Sequence, residues 1–200
     1  NATYTITGSN TGSVTNLSGT FAGMANLVDI GGGGGGGMRG WNATWTITGS
    51  NTGSMSSLSG TFAGMGTLSD TGTKGTLKEA TATWTVTGSN TGSVTNLSGT
   101  FAGMANLSDT GTGQLKAATA TWTVTGSNTG SVTNLSGTFA GMGTLSDTGT
   151  GQLKSANATY TITGSNTGSV TNLSGTFAGM GTLADTGTTG TPEEANAAWT

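Results

Sequence analysis

A motif recurs five times in this chain and begins a sixth time, and its period constrains the fold more than any single residue does. The aromatic that opens each copy falls at Tyr4, Trp45, Trp84, Trp122, Tyr160 and Trp199. Behind it come Phe21, Phe62, Phe101, Phe139 and Phe177, then Met24, Met65, Met104, Met142 and Met180, at spacings of 41, 39, 38 and 38 residues. A fixed period of this size marks stacked units, each with an apolar face too small to bury alone. The 200 residues therefore form one array, with copies at about 1–41, 42–80, 81–118, 119–156 and 157–195 and a sixth starting at 196–200. Such an array acts through length and surface rather than through one pocket.

The rigid and variable parts separate on alignment. Four basic residues precede the next Asp by 31 positions, from Arg39 to Asp70, Lys78 to Asp109, Lys116 to Asp147 and Lys154 to Asp185. The return distance varies and contains the glycine run 31–37, so this connection reads as a surface loop in every copy. Within the constant part, Thr83-Trp84-Thr85-Val86-Thr87 alternates apolar and hydroxyl residues with period two, which is a strand. Ser89-Asn90-Thr91-Gly92 is turn chemistry, Val94 to Leu97 a second short strand, and Thr100 to Met104 a third. No stretch carries a capped helical stripe.

The pattern predicts an all-β chain, and its preferred architecture is a β-solenoid of about two coils per repeat, each of roughly 19 residues and one strand spacing from the next. Trp84, Phe101, Trp122 and Phe139, at steps of 17, 21 and 17, would then share one interior ladder. The alternative is a string of tandem β-hairpins or a β-roll, with Trp84 to Thr87 paired antiparallel to Ser93 to Leu97. In either case Trp45, Trp84, Trp122, Phe62, Phe101, Phe139, Met65, Met104 and Met142 form the structural core ladder, and Tyr4 and Trp199 mark the two assembly ends.

Composition excludes several functions. Charged residues are 6%, there is no His and no Cys, and 39 residues are Gly, so Thr, Ser and Asn must make the surface wettable. With five Lys and Arg and a net charge of -3, the chain has no electrostatic footprint for nucleic acid. No apolar run approaches the roughly 20 residues that span a bilayer. Residues 1–5 and 196–200 are the same motif, so the sequence reads as an excerpt of a longer array. Without His or Cys, triads with a His base, thiol chemistry and zinc sites of the usual ligands are excluded.

The run Trp84-Thr85-Val86-Thr87-Gly88-Ser89-Asn90-Thr91-Gly92-Ser93-Val94, followed by Phe101-Ala102-Gly103-Met104-Ala105-Asn106-Leu107, resembles the repeats of large bacterial exoproteins of the filamentous-haemagglutinin-like class. The resemblance implies a β-helical protein exported to the bacterial cell surface, with a role in adhesion or filament formation. The calcium-binding nonapeptide of neighbouring exoprotein families is missing here.

Four further features are weighed against simpler explanations. The row Asp29, Asp70, Asp109, Asp147 and Asp185 reads as Asx turns rather than as a cation site, since one carboxylate per period is too few ligands for calcium. Arg39, Lys78, Lys116 and Lys154 read as a solvated rim; Glu193 takes the next place, and Pro192 replaces the Leu or Met before it. The Thr-x-Thr pairs resemble ice-binding rows but occur once per period. Asn10, Asn51, Asn90, Asn128 and Asn166 read as turn residues or stacked amide ladders. The expected protein is a non-enzymatic extracellular rod, surface fibre or adhesin stalk, without cofactor or metal. Its partner is itself, end to end, with cell-surface or matrix carbohydrate as a further partner. An ice- or carbohydrate-binding module is the alternative.

Overall fold

The computed structural model describes residues 1–31 and 34–195, and all of its regular structure is strand. Trp199 and the start of the sixth copy lie outside the described residues, as do Gly32 and Gly33.

The third repeat shows how the sequence sets the local structure. Thr83–Gly88 and Thr91–Val94 form an antiparallel hairpin with Trp84 opposite Val94 and Val86 opposite Gly92. Asn90 closes it at φ 54, a left-handed conformation that Asn tolerates because its short side chain can hydrogen-bond locally. Trp84, Val86 and Val94 point into the core, and the threonines between them face outward. Phe101–Ala102 then lies antiparallel to the hairpin's second strand, through Gly92. A Cβ at Gly92 would meet the carbonyl of Thr85 and the tip of the Phe101 ring, so the ring needs glycine beneath it. The hairpin of the alternative reading is thus present, inside a solenoid.

The solenoid is made by parallel pairing between turns. One ladder runs Val14, Tyr4, Met38, Leu68, Phe101, Gly92, then through the hairpin to Trp84, Leu115, Leu145 and Phe177. The other runs Leu27, Phe62, Gly53, then through the hairpin to Trp45, Leu77, Leu107 and Phe139, and repeats the order to Leu183. The two ladders share one apolar core.

This corrects the expected stacking. Partners such as Trp84, Leu115, Leu145 and Phe177 lie 30 to 32 residues apart rather than 19, and a repeat makes one and a half turns rather than two. Residues therefore stack on different positions of the motif, and no ladder alternates Trp with Phe. The reason is the hairpin, which stays within one ladder and lengthens that turn without advancing it to the opposite side. Three crossings between the ladders are made per repeat: Phe101 and Leu115 belong to one, Leu107 and the next hairpin, Trp122, to the other. Successive hairpins consequently alternate between the two ladders.

The connection from Asp to the basic residue is a mostly exposed loop at 71–74 and 186–190, as expected, but not in the third and fourth copies. Met104–Ala117 and Phe139–Ser155 are continuous strands, and only the corner at 110–112, and its equivalent at 148–150, is exposed. Even the end of the glycine run is strand: Gly36–Gly40 pairs with the first hairpin on one side and Met65–Asp70 on the other. Length variation is absorbed at the corner while the ladder keeps its register. Trp45, Trp84, Trp122, Phe62, Phe101, Phe139, Met65, Met104 and Met142 are all at most 1% exposed. Trp45 meets Phe62 edge to face, with ring centroids 6.4 Å apart.

Candidate functional site

The Asp row is the best-defined polar feature, and each carboxylate is consumed by the chain's own donors. Asp109 accepts from the backbone N–H groups of Thr81, Ala82 and Gly111 at 2.8 Å and from the indole Nε1 of Trp84 at 3.1 Å. Asp147 repeats this with Thr119, Ala120, Gly149 and Trp122, and Asp70 with Asn42, Ala43, Gly72 and Trp45. The bond to the residue two places on is the Asx turn expected from sequence. The bonds to the preceding strand's start and its Trp tie successive turns together, and spacing alone did not reveal them. Burial works against the charge of Asp147, but these four donors together hold its carboxyl below 3.8. Asp29, held mainly by the N–H groups of Gly31 and Ala2, is lowered too. Where the motif has Tyr in place of Trp, the phenol donates elsewhere: Tyr4 to the carbonyl of Val28 and Tyr160 to that of Ala184.

The basic row lies on the outer side of the ladders. Arg39 sits beside Thr5 and Ser69, Lys78 beside Thr46 and Ser108, and Lys116 beside Thr85 and Ser146. Among the described residues none of these cations is ion-paired with a side chain. The same pairings interrupt the threonine rows, since the neighbour of Thr85 in the next turn is Lys116 and not another Thr.

Shallow grooves recur where a hairpin meets the following corner. One is lined by Thr46, Thr48, Glu79, Asn96 and Thr110; its equivalent in the next repeat has Ala117 in place of Glu79. Glu79 is 3% exposed and is a residue that sequence reasoning passed over. Its Oε1 accepts from the Asn96 amide at 2.7 Å, while Oε2 is buried without a partner. Burial, opposed in part by the Asn96 bond and reinforced by Asp109, pushes its carboxyl above 4.5. Trp41 was passed over too. It is 67% exposed at a corner where the other repeats have Ala80, Ala118 and Ala156. The signal available was that it stands outside the strand position that holds every other Trp.

The largest apolar exposure is at the beginning of the array. Leu17, Met24, Val28 and Ile30 are 47%, 51%, 55% and 95% exposed. The counterparts of Leu17 and Met24, Leu58, Leu97, Leu135 and Leu173 and Met65, Met104, Met142 and Met180, are buried. Tyr4 lies beside this face, half-buried and packed against the core. Among the described residues no helix is long and apolar enough to cross a membrane. No protein-family model, curated protein or solved structure matches the chain.

Proposed function

We propose that this chain forms a non-enzymatic, extracellular β-solenoid rod of the bacterial cell surface, a fibre or adhesin stalk that self-associates end to end. The observation that carries this reading is that every inner repeat closes its core only against the turn before it, so the array has no self-contained unit. Leu58, Leu97, Leu135 and Leu173, and Met65, Met104, Met142 and Met180, are all buried, and successive turns are joined by parallel strand pairing. The hydroxyl- and amide-rich surface, the low charge and the likeness of the repeats to bacterial exoproteins support the extracellular assignment. The rod itself is rigid because each turn supplies the next with hydrogen-bond partners and with an aliphatic or aromatic wall.

Negative-stain imaging and small-angle scattering of the purified chain test the reading. Rods that lengthen with concentration are expected; globular particles of constant size at every concentration would overturn it. The carbohydrate-binding alternative draws on exposed Trp41. Quenching of tryptophan fluorescence by soluble glycans, abolished in Trp41→Ala, would favour it over the rod alone. The ice-binding alternative needs a flat threonine array, which the Lys between successive Thr interrupts.

A further inference from the structure

One core-facing position of the motif is filled differently each time, by Gly40, Glu79, Ala117 and Ser155. A Cβ on Gly40 would meet Met55 Cε and Trp45 Cζ2, so a side chain at this position points in among the apolar residues of the hairpin that follows. Before the third hairpin Glu79 takes that place, and Val94 stands where the second hairpin has Met55. The shorter Val94 leaves to the Glu79 stem the space that Met55 fills over Gly40. The outcome is a carboxyl group 3% exposed, with Oε1 accepting from Asn96 Nδ2 at 2.7 Å and Oε2 buried without a partner.

Asn96 belongs to a junction between copies. The N–H of Asn51 in the second hairpin turn donates to the Asn96 carbonyl at 2.8 Å, and the Ser98 N–H donates to Asn51 Oδ1 at 2.8 Å, with buried Leu97 between them. Asn134 and Asn172 are held in the same way by Asn90 and Asn128, but Ala117 and Ser155 stand in the place of Glu79, so these junctions contain no carboxyl group. Few charges surround Glu79. The strand Thr44–Gly49 beside it, the corner at 80–82, the hairpin at 83–94 and the turn at 95–98 carry none. On Met104–Ala117, Asp109 is its register partner, with a carboxylate that already accepts four hydrogen bonds, and Lys116 lies past the corner on the other ladder. On its own strand Lys78 alternates to the outer side, and Lys74 is exposed at the corner before it.

Ionising Glu79 sets a second negative charge beside Asp109 in the interior, with one hydrogen bond and no cation facing it, a cost that the neutral carboxyl group avoids. Admitting water relieves a buried charge. The cover that can lift is the turn at 95–98, since the strands on either side of Glu79 are paired along the ladder. We infer that Glu79 makes the junction of the second and third copies a joint set by pH: the turn at 95–98 stays seated while the carboxyl group is protonated, and lifts away from Asn51 when it ionises. The folded pKa of Glu79 lies above 4.5, chiefly through burial, so the seated state is complete below that value and is lost as pH rises through the folded pKa. The junctions behind Ala117 and Ser155 have no such group, and the array therefore yields at one place.

Hydrogen exchange of the whole chain, read as protection factors across a pH series from acid to mildly alkaline, tests this. The segment 95–98 is expected to lose about tenfold in protection over the series, while its counterpart 133–136 stays level. Glu79→Gln keeps an acceptor for Asn96 without the charge and should hold 95–98 level at its acid value. Glu79→Ala, which copies the junction behind Ala117, should also be level, at lower protection, and serves where the Gln variant folds poorly. If 95–98 and 133–136 change alike in the wild type, or if the pH dependence of 95–98 survives in either variant, the joint is overturned. The outcome is independent of whether the chains associate end to end.

Discussion

The first and third repeats carry nearly the same residues in different surroundings. Leu17 and Met24 are 47% and 51% exposed, whereas Leu97 and Met104 are 7% and 0%. Gly23 and Gly103 share a left-handed backbone, φ 72 and φ 70. A Cβ on Gly103 would run into the carbonyl of Asp70 in the turn before it; on Gly23 it would meet nothing within 4 Å. Nothing in the local sequence accounts for this contrast. It shows that a repeat has no complete core of its own, and that stability is held in the interfaces between turns.

The largest effect should separate the two Phe positions. Phe101→Ala removes a ring that is 0% exposed and is expected to cost about 3–5 kcal/mol, while Phe21→Ala, half-buried at the open end, should cost about 1 kcal/mol. Denaturant titration read together with hydrogen exchange measures both, and equal costs would contradict the contrast. Gly103→Ala and Gly23→Ala come next. Both incur about 1–2 kcal/mol from the left-handed backbone. The collision with Asp70 should make Gly103→Ala worse by at least ~1 kcal/mol, measurable as a lower denaturation midpoint.

The smallest effect is the pH profile. The folded pKa of Asp147 lies below its ordinary 3.8, so its contribution is present above that value and is lost as pH falls through the folded pKa. Glu79 behaves oppositely: its folded pKa lies above 4.5, so its contribution is complete below that value and is lost as pH rises through the folded pKa. Glu79→Gln should therefore flatten the loss on the alkaline side and leave the acid limb, set by Asp29 and Asp147, where it was. A thermal melt series across pH reads both limbs, and a shift of the acid limb in Glu79→Gln would contradict this assignment.

Much of the architecture is visible in the sequence because the period fixes which residues are equivalent and the Thr-Trp-Thr-Val-Thr alternation fixes which of them point inward. The left-handed turn at Asn90 was equally readable, since few other residues accept that backbone. The order of stacking was not. It depends on whether the segment from Trp84 to Phe101 spends its length crossing the core or folding back on itself, and both options bury the same residues. The Asp row was half legible. Its local Asx bond follows from spacing, but its bonds to Ala82 and Trp84, 27 and 25 residues earlier, exist only once the turn length is known. Glu79 was not legible, because a Glu beside Lys78 in a polar stretch looks solvated until the corner above it is built.

Three crossings per repeat also make the array sensitive to parity. Duplicating two copies of the motif inserts a whole number of turns and leaves everything downstream facing as before. Duplicating one copy moves every later hairpin to the other ladder and with it whatever the outer corner displays, Trp41 or Glu79 alike. Growth of such a gene by pairs would conserve the pattern shown to the outside, and growth by single units would invert it.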